Sequence, residues 1–432
     1  MSQITFGTDG WRAIIAEDFT FANVERVAAA VGRYVIASYS QGGKVPPVLV
    51  GYDTRFLADK FAIRTAQTLI SLGVPARVVD RDVPTPAIAA ATIVEPTGGA
   101  IQLTASHNPP EYCGMKYISN YAGPATNEIT EGLLAHLRPD ETFGDLSHIE
   151  VPLFDPRPGY IESISKLIDL ERLAQAKLRL GCECLFSTCR GYLDKILRDN
   201  GADVHVLHDW RDPLFGGLTP EPKPEYLTEL SALVKREKLQ VGLATDGDAD
   251  RFGAIDDQGE YLSPNQLLAL LLRHLVKNRG MHGSVVKTVA TTHMLDKLCA
   301  LYGLEIDETP VGFKYIGEIM RQKDVLIGGE ESGGVSFKGH IPEKDGIAAS
   351  LLLVEMLAYE KKPLSQIWGE LVRETGSQFA YRRRDLRLTA ENQKRLVETV
   401  LAAPFSTIGK SRVERVTRAD GLKFYVEDGS WV

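Results

Sequence analysis

Asp246, Asp248 and Asp250 alternate with small residues in 246-DGDADR-251, so three carboxylates can converge on one hard cation. An EF-hand loop would want glycine at its sixth position and glutamate at its twelfth. Arg251 and Asp257 stand there instead, and an apolar strand precedes rather than a helix. Two other uses stay open. A strand-end aspartate can carry a phosphoryl group itself, as in an aspartyl-phosphate phosphatase. A solvated acidic turn is the other, although three carboxylates this close repel one another.

A second cluster follows the apolar run AIQL, in 102-QLTASHNPPEYCGMKY-117, where Ser106 and His107 are adjacent and Lys116 lies downstream. Neighbours in sequence are poorly placed to form a nucleophile–base pair, and no G-x-S-x-G elbow is present, which argues against a serine hydrolase. A serine beside a divalent cation suits another task, carrying phosphate. Phosphoserine holds about −1.5 to −2 charges at pH 7, and Arg12, Arg251 and Lys116 are the basic groups that could neutralise it. The third cluster, 329-GEESGG-334, sets hydrogen-bonding groups between glycines that admit a ligand to the backbone. Glu330 and Glu331 should project in different directions, so sugar-hydroxyl recognition fits better than a glycosidase pair.

Three segments must position these clusters. Residues 48–80, 178–208 and 284–307 each read as a buried strand, a helix and a second strand. Each is followed by one more apolar strand that ends in a polar cluster: AIQLTASHN, QVGLATDGDADR and DVLIGGEESGG. Repeated α/β units are therefore expected, with all three clusters at strand C-terminal ends, the edge where open α/β sheets bind ligands. Periodicity lapses at 138–159, 256–266 and 374–378. Domains are accordingly placed at 1–150, 151–258, 259–373 and 374–432. The last opens with an Arg-rich stretch, then reads as one helix (TAENQKRLVETVLAAP) and a strand hairpin.

At 432 residues the chain suggests roughly three or four domains. A net charge of −8 argues against nonspecific nucleic-acid binding. No apolar run approaches a membrane span, and MSQITFGTDGWR lacks a secretory pattern. The odd number of cysteines, five, fits a reducing cytoplasm, with Cys182, Cys184 and Cys189 expected as small core residues. Neither a Walker loop nor a dinucleotide fingerprint occurs.

Together these motifs resemble the α-D-phosphohexomutase superfamily (phosphoglucomutases and phosphomannomutases). FGTDGWR, TASHNP, DGDADR, TPVGFKYIGE, GEESGG and HIPEKDG stand in the family's order along the whole chain. The resemblance implies three related α/β domains with mixed sheets and a smaller C-terminal α+β domain around a central cleft. It implies a cytoplasmic enzyme, monomer or homodimer, that moves a phosphoryl group between C1 and C6 of hexose phosphates. The expected cofactors are Mg²⁺ and glucose 1,6-bisphosphate, the latter as activator and intermediate.

Carried over by position, Ser106 would hold the phosphate, and Mg²⁺ would sit between it and Asp246, Asp248 and Asp250. Arg12 and Arg251 would orient the phosphoryl group, while Lys116 with His107 would serve acid–base chemistry or charge stabilisation. Glu330 and Ser332, with the loop around Gly312, would grip sugar hydroxyls, and Lys344 would contact substrate. GEESGG and TPVGFK resemble glucose-phosphate members more than the Glu-Met-Ser-Gly-His loop of dual glucose/mannose enzymes or the Glu-Gln-Ser of phosphoglucosamine mutases. A glucose-1,6-bisphosphate synthase on the same scaffold is an alternative. The family's Arg-Pro-Ser-Gly-Thr phosphate loop would follow FYVEDGSWV, where this sequence stops, so the fourth domain is expected to be truncated.

Overall fold

The computed structural model describes residues 4–7, 10–376, 379–382, 388–402 and 405–432. Four sheets follow one another along the chain. The first contains β1 (Trp11–Ile14), β2 (Val48–Tyr52), β3 (Ala76–Val79), β4 (Ala100–Leu103), β5 (Tyr112–Ile118) and β6 (Leu153–Phe154), in the order β1-β5-β4-β2-β3-β6. The second contains β7 (Arg179–Glu183), β8 (Asp203–Leu207), β9 (Val241–Thr245), β10 (Phe252–Ile255) and β11 (Tyr261–Leu262), ordered β11-β10-β9-β7-β8. The third contains β12 (Ser284–Thr288), β13 (Ile306–Thr309), β14 (Val325–Gly329) and β15 (Val335–Phe337), ordered β13-β12-β14-β15.

One motif recurs in all three. Parallel trios β3-β2-β4, β8-β7-β9 and β13-β12-β14 are each extended by an antiparallel strand, β5, β10 or β15. The sheets are therefore mixed. The central strands VLVGY, VGLAT, SVVKT and VLIGG are buried throughout, as strands covered on both faces must be. Each polar cluster is the connection from the last parallel strand to its antiparallel follower: β4 to β5, β9 to β10 and β14 to β15.

Two-residue edge strands lie beyond the expected boundaries. β6 pairs with β3 past residue 150, and β11 pairs with β10 past residue 258. Strands that short carry no readable alternation. The helix Gly346–Glu360 is buried along almost its whole length because it packs on β9 and β10 of the second sheet as well as β15 of the third. Its apolar residues therefore surround the axis instead of forming a stripe. Among the described residues no helix is long and apolar enough to cross a membrane. All five cysteines are buried.

The C-terminal segment holds the helix Ala390–Ala402 and a sheet of β16 (Thr407–Ile408), β17 (Ser411–Thr417) and β18 (Lys423–Val426). The expected hairpin FYVEDGSWV forms between β18 and residues 430–432, with Phe424 N–H donating to the Val432 carbonyl (2.8 Å) and Val432 N–H to that of Phe424 (3.0 Å). β17 pairs with the other edge of β18, and β16 with β17. Of the Arg-rich stretch, residues 383–387 lie outside the described residues.

Candidate functional site

Ser106 leaves β4 with a φ of 50°, a left-handed conformation rare for a residue with a side chain. Its N–H donates to Thr104 Oγ1 (2.8 Å), and its hydroxyl donates to Asp246 Oδ2 (2.8 Å), a residue of the second sheet's loop. Ser106 is only 1% exposed. The two loops can meet this closely because Gly247 has no side chain: a Cβ there would lie 2.5 Å from the Ser106 carbonyl oxygen.

Their adjacency in sequence makes Ser106 and His107 poorly placed to pair as nucleophile and base. The structure corrects this, with Ser106 Oγ 3.2 Å from His107 Nδ1. The positive φ at Ser106 turns the two side chains toward each other. Burial pushes the His107 imidazole down to about 2, helped by the neighbouring Arg251 and Arg12 cations, so the ring is neutral at physiological pH.

Asp246, Asp248 and Asp250 are fully buried, with one oxygen of each within 4.8 Å of the others. Asp246 Oδ1 accepts the Arg251 N–H (3.1 Å), and Asp248 Oδ2 accepts the Thr85 hydroxyl (2.6 Å) from the first domain. Asp248 Oδ1 has no hydrogen-bond partner among the described residues. Burial raises the Asp246 carboxyl well above its ordinary range, with the Asp248 and Asp250 charges adding to it. Asp248 rises from burial and from Asp250. Three buried carboxylates with an orphaned oxygen are a donor set that a hard divalent cation would satisfy, and all-oxygen ligation suits Mg²⁺.

Lys116 on β5 and Lys344 each place Nζ 3.2 Å from Asp250 Oδ2. Lys344, expected as a substrate contact, thus also stands against the aspartate cluster, and Lys116 lies 3.9 Å from Glu343. Arg12 donates to Asn108 Oδ1 (2.7 Å). Arg251 reaches Glu221 (3.8 Å) and Asp250 (3.9 Å), and its backbone bridges to Gly334.

Glu330 accepts the Gly312 N–H (3.1 Å) on one oxygen and the Ser332 hydroxyl (3.1 Å) on the other. Glu330, Ser332 and the Gly312 loop are therefore one preorganised unit. Burial raises the Glu330 carboxyl, against the pull of Lys344 and Arg251. Glu331 points elsewhere, accepting from Thr288 (2.8 Å).

Arg12, His107, Arg251, Gly312, Glu330, Ser332 and Lys344 all line a single cleft of about 1840 Å³, with Ser106, Lys116 and the aspartates beneath its surface. Thr85 and Glu343 were not anticipated. Thr85 opens the helix Thr85–Ala91 between two prolines, away from the polar strand ends, and Glu343 precedes Lys344 in HIPEKDG, a motif whose lysine carries the recognisable signal.

Family models for "Phosphoglucomutase/phosphomannomutase, alpha/beta/alpha" domains I, II and III match residues 3–142, 158–259 and 263–375. A phosphoglucomutase/phosphomannomutase of Thermococcus kodakarensis is 29% identical over 431 residues, spanning 99% of this chain and 90% of that protein. A phosphoglucosamine mutase of Carboxydothermus hydrogenoformans is 30% identical over 387 residues, 85% of this chain and 82% of that one. A crystal structure from Thermus thermophilus, provisionally named a phosphomannomutase, superposes with a TM-score of 0.89 at 34% identity, covering 100% of this chain and 92% of that one. With the three family domains matched in order and a related structure superposed along its full length, the chain belongs to the α-D-phosphohexomutase superfamily.

Proposed function

We propose that this protein interconverts hexose 1-phosphates and hexose 6-phosphates, prefers glucose phosphates, and works through a phosphoserine at Ser106 and a sugar 1,6-bisphosphate. The observation that carries the reading is the 2.8 Å contact of Ser106 Oγ with Asp246, inside a buried triad of carboxylates at the floor of a cleft. Lys116, Lys344 and Arg251 already stand against Asp250, and a divalent cation would draw the three carboxylates and a Ser106 phosphate onto one centre.

Phosphoryl transfer needs alignment and charge neutralisation more than covalent help. Bound Mg²⁺ would be held by Asp246, Asp248, Asp250 and the Ser106 phosphate, and would supply charge neutralisation there. Arg12 and Arg251 face the cleft and would hold the phosphoryl oxygens. In the first half-reaction a sugar hydroxyl attacks phosphorus, the P–Oγ bond to Ser106 breaks, a P–O bond to the sugar forms, and the hydroxyl proton leaves to a nearby base. His107 and Lys116 would serve this proton transfer or stabilise its charge, with the negative Ser106 phosphate raising the proton affinity of His107 above that of the unphosphorylated site. The bisphosphate then turns over, and Ser106 Oγ takes the other phosphoryl group. Glu330 and Ser332 would bind hydroxyls near the middle of the ring, which both orientations share.

The names of the relatives span glucose, mannose and glucosamine phosphates, so the assay must compare all three. Each 1-phosphate is supplied with Mg²⁺ and a trace of its 1,6-bisphosphate, and the 6-phosphate is followed. Fastest isomerisation of glucose 1-phosphate supports the reading in full. Faster turnover of another sugar overturns the glucose preference, release of inorganic phosphate favours the phosphatase, and net accumulation of bisphosphate favours the synthase.

A further inference from the structure

Arg55 follows β2 in 51-GYDTR-55 and is fully buried, an unusual place for a guanidinium. All five of its N–H donors are engaged. Nε donates to Asp53 Oδ2 (3.0 Å). Nη2 donates to the carbonyls of Ser106 (2.7 Å) and Asn108 (2.7 Å), and Nη1 to those of Pro109 (2.7 Å) and Tyr112 (2.9 Å). The same Asp53 oxygen accepts the Thr104 hydroxyl (2.7 Å), whose oxygen accepts the Ser106 N–H (2.8 Å). One planar cation thus gathers four carbonyls of the loop that carries Ser106, and its counter-ion ties down that residue's N–H.

The second domain seats this cation. The Phe215 ring lies 5.1 Å from Arg55 Cζ, and Arg211 donates to the backbone carbonyls of Thr54 (3.3 Å) and Arg55 (3.4 Å). The four carbonyls drawn toward Arg55 flank or include Ser106, whose backbone is left-handed and whose Oγ faces Asp246.

We propose that Arg55 is a positioning residue for phosphoryl transfer: it touches neither substrate nor the reacting atoms, and it sets the loop that presents Ser106 to the aspartates. The inference rests on Ser106 carrying the phosphate. A buried arginine that merely held the domain together would, when altered, loosen the whole first domain and change binding and turnover alike.

Arg55→Lys separates the two, because lysine keeps the charge opposite Asp53 but offers three donors rather than five. Amide hydrogen exchange of the segment 104–112 should speed up about tenfold or more, while that of the third-sheet segment 325–337 stays at wild-type rates. The kcat for glucose 1-phosphate should fall roughly 10- to 100-fold with KM nearly unchanged. Exchange in 104–112 equal to wild type overturns the proposal, as does loosening spread evenly over the first domain. If Arg55→Lys does not fold, Thr104→Val decides: it cuts the link from Asp53 to the Ser106 N–H and should loosen the same segment alone, and wild-type exchange there overturns the proposal. Exchange is read without turnover. A wild-type protein that takes no phosphate on Ser106 would therefore remove the functional reading, while the exchange result still judges Arg55.

Discussion

Lys116 and Lys344 end on one atom: each places its ammonium 3.2 Å from Asp250 Oδ2, the first from β5 and the second from the loop after β15. A carboxylate of the second domain is thus clasped by cations of the first and the third. All three groups are buried, so the charges meet with little screening by water.

Substituting either lysine should therefore be costly, and substituting both should cost less than the two losses multiplied. Lys116→Gln and Lys344→Gln each remove a charge-assisted hydrogen bond worth about 1.5–3 kcal/mol, or roughly 10- to 150-fold in kcat/KM. Because both act on one oxygen, a double-mutant cycle should show coupling. Strictly multiplicative losses would mean the two lysines work independently.

Asp248→Asn tests the cation. It removes one of three mutually repelling buried charges while still accepting the Thr85 hydroxyl. In chelator its melting temperature should match or exceed that of the wild type. Added Mg²⁺ should raise the wild-type melting temperature and leave the variant's nearly unmoved. An equal Mg²⁺ response in both would place the metal elsewhere.

Glu330→Gln should weaken turnover of glucose 1-phosphate and glucose 6-phosphate alike, by roughly 10- to 150-fold in kcat/KM. The carboxylate organises Gly312 and Ser332 as well as facing the cleft. Ser332→Ala removes only one donor to that carboxylate and should cost less. Wild-type kcat/KM for both sugar phosphates would show that Glu330 is a structural residue of its loop.

The candidate site was legible where residue type and place coincide. Ser106, the aspartates and Glu330 each end an apolar strand in a polar cluster, and three such endings in a row expose the repeat. What joins the clusters was not legible. Ser106 and Asp246 are 140 positions apart, Lys116 and Asp250 are 134 apart, and only the packing of one domain on another brings them together. The Ser106–His107 contact depends on a backbone conformation that serine seldom adopts, so residue identity does not announce it. Arg55 reads as an ordinary strand-end cation until its five donors are seen to converge on one loop. β6 and β11 are too short to show a pattern.

His293 offers a prediction about the C-terminal sheet. Its ring stacks on Tyr425 (centroids 5.5 Å apart) and lies 6.0 Å from Trp431. Burial lowers its pKa from 6.5 to about 4, helped by Lys287 and Lys423 and opposed by Asp296 and Glu308. Lys423 bridges to Glu308 (3.0 Å), and Lys287 pairs with Asp296 and Glu308, so these four charged groups surround the ring. A histidine whose pKa is depressed in the docked state binds its proton more tightly when the sheet is released. Docking stability is then fully present above pH 6.5 and is lost as pH falls toward 4. Exchange of amides in 411–426, corrected for the intrinsic effect of pH, should therefore show protection falling between about pH 6.5 and 4.5. His293→Gln keeps a polar planar group without titrating and should flatten that fall, with protection at about pH 7.5 little changed. An unaltered pH profile in the variant would assign the acid sensitivity of this sheet to other groups, with the Glu308 carboxylate, which bridges Lys287 and Lys423, the first to substitute.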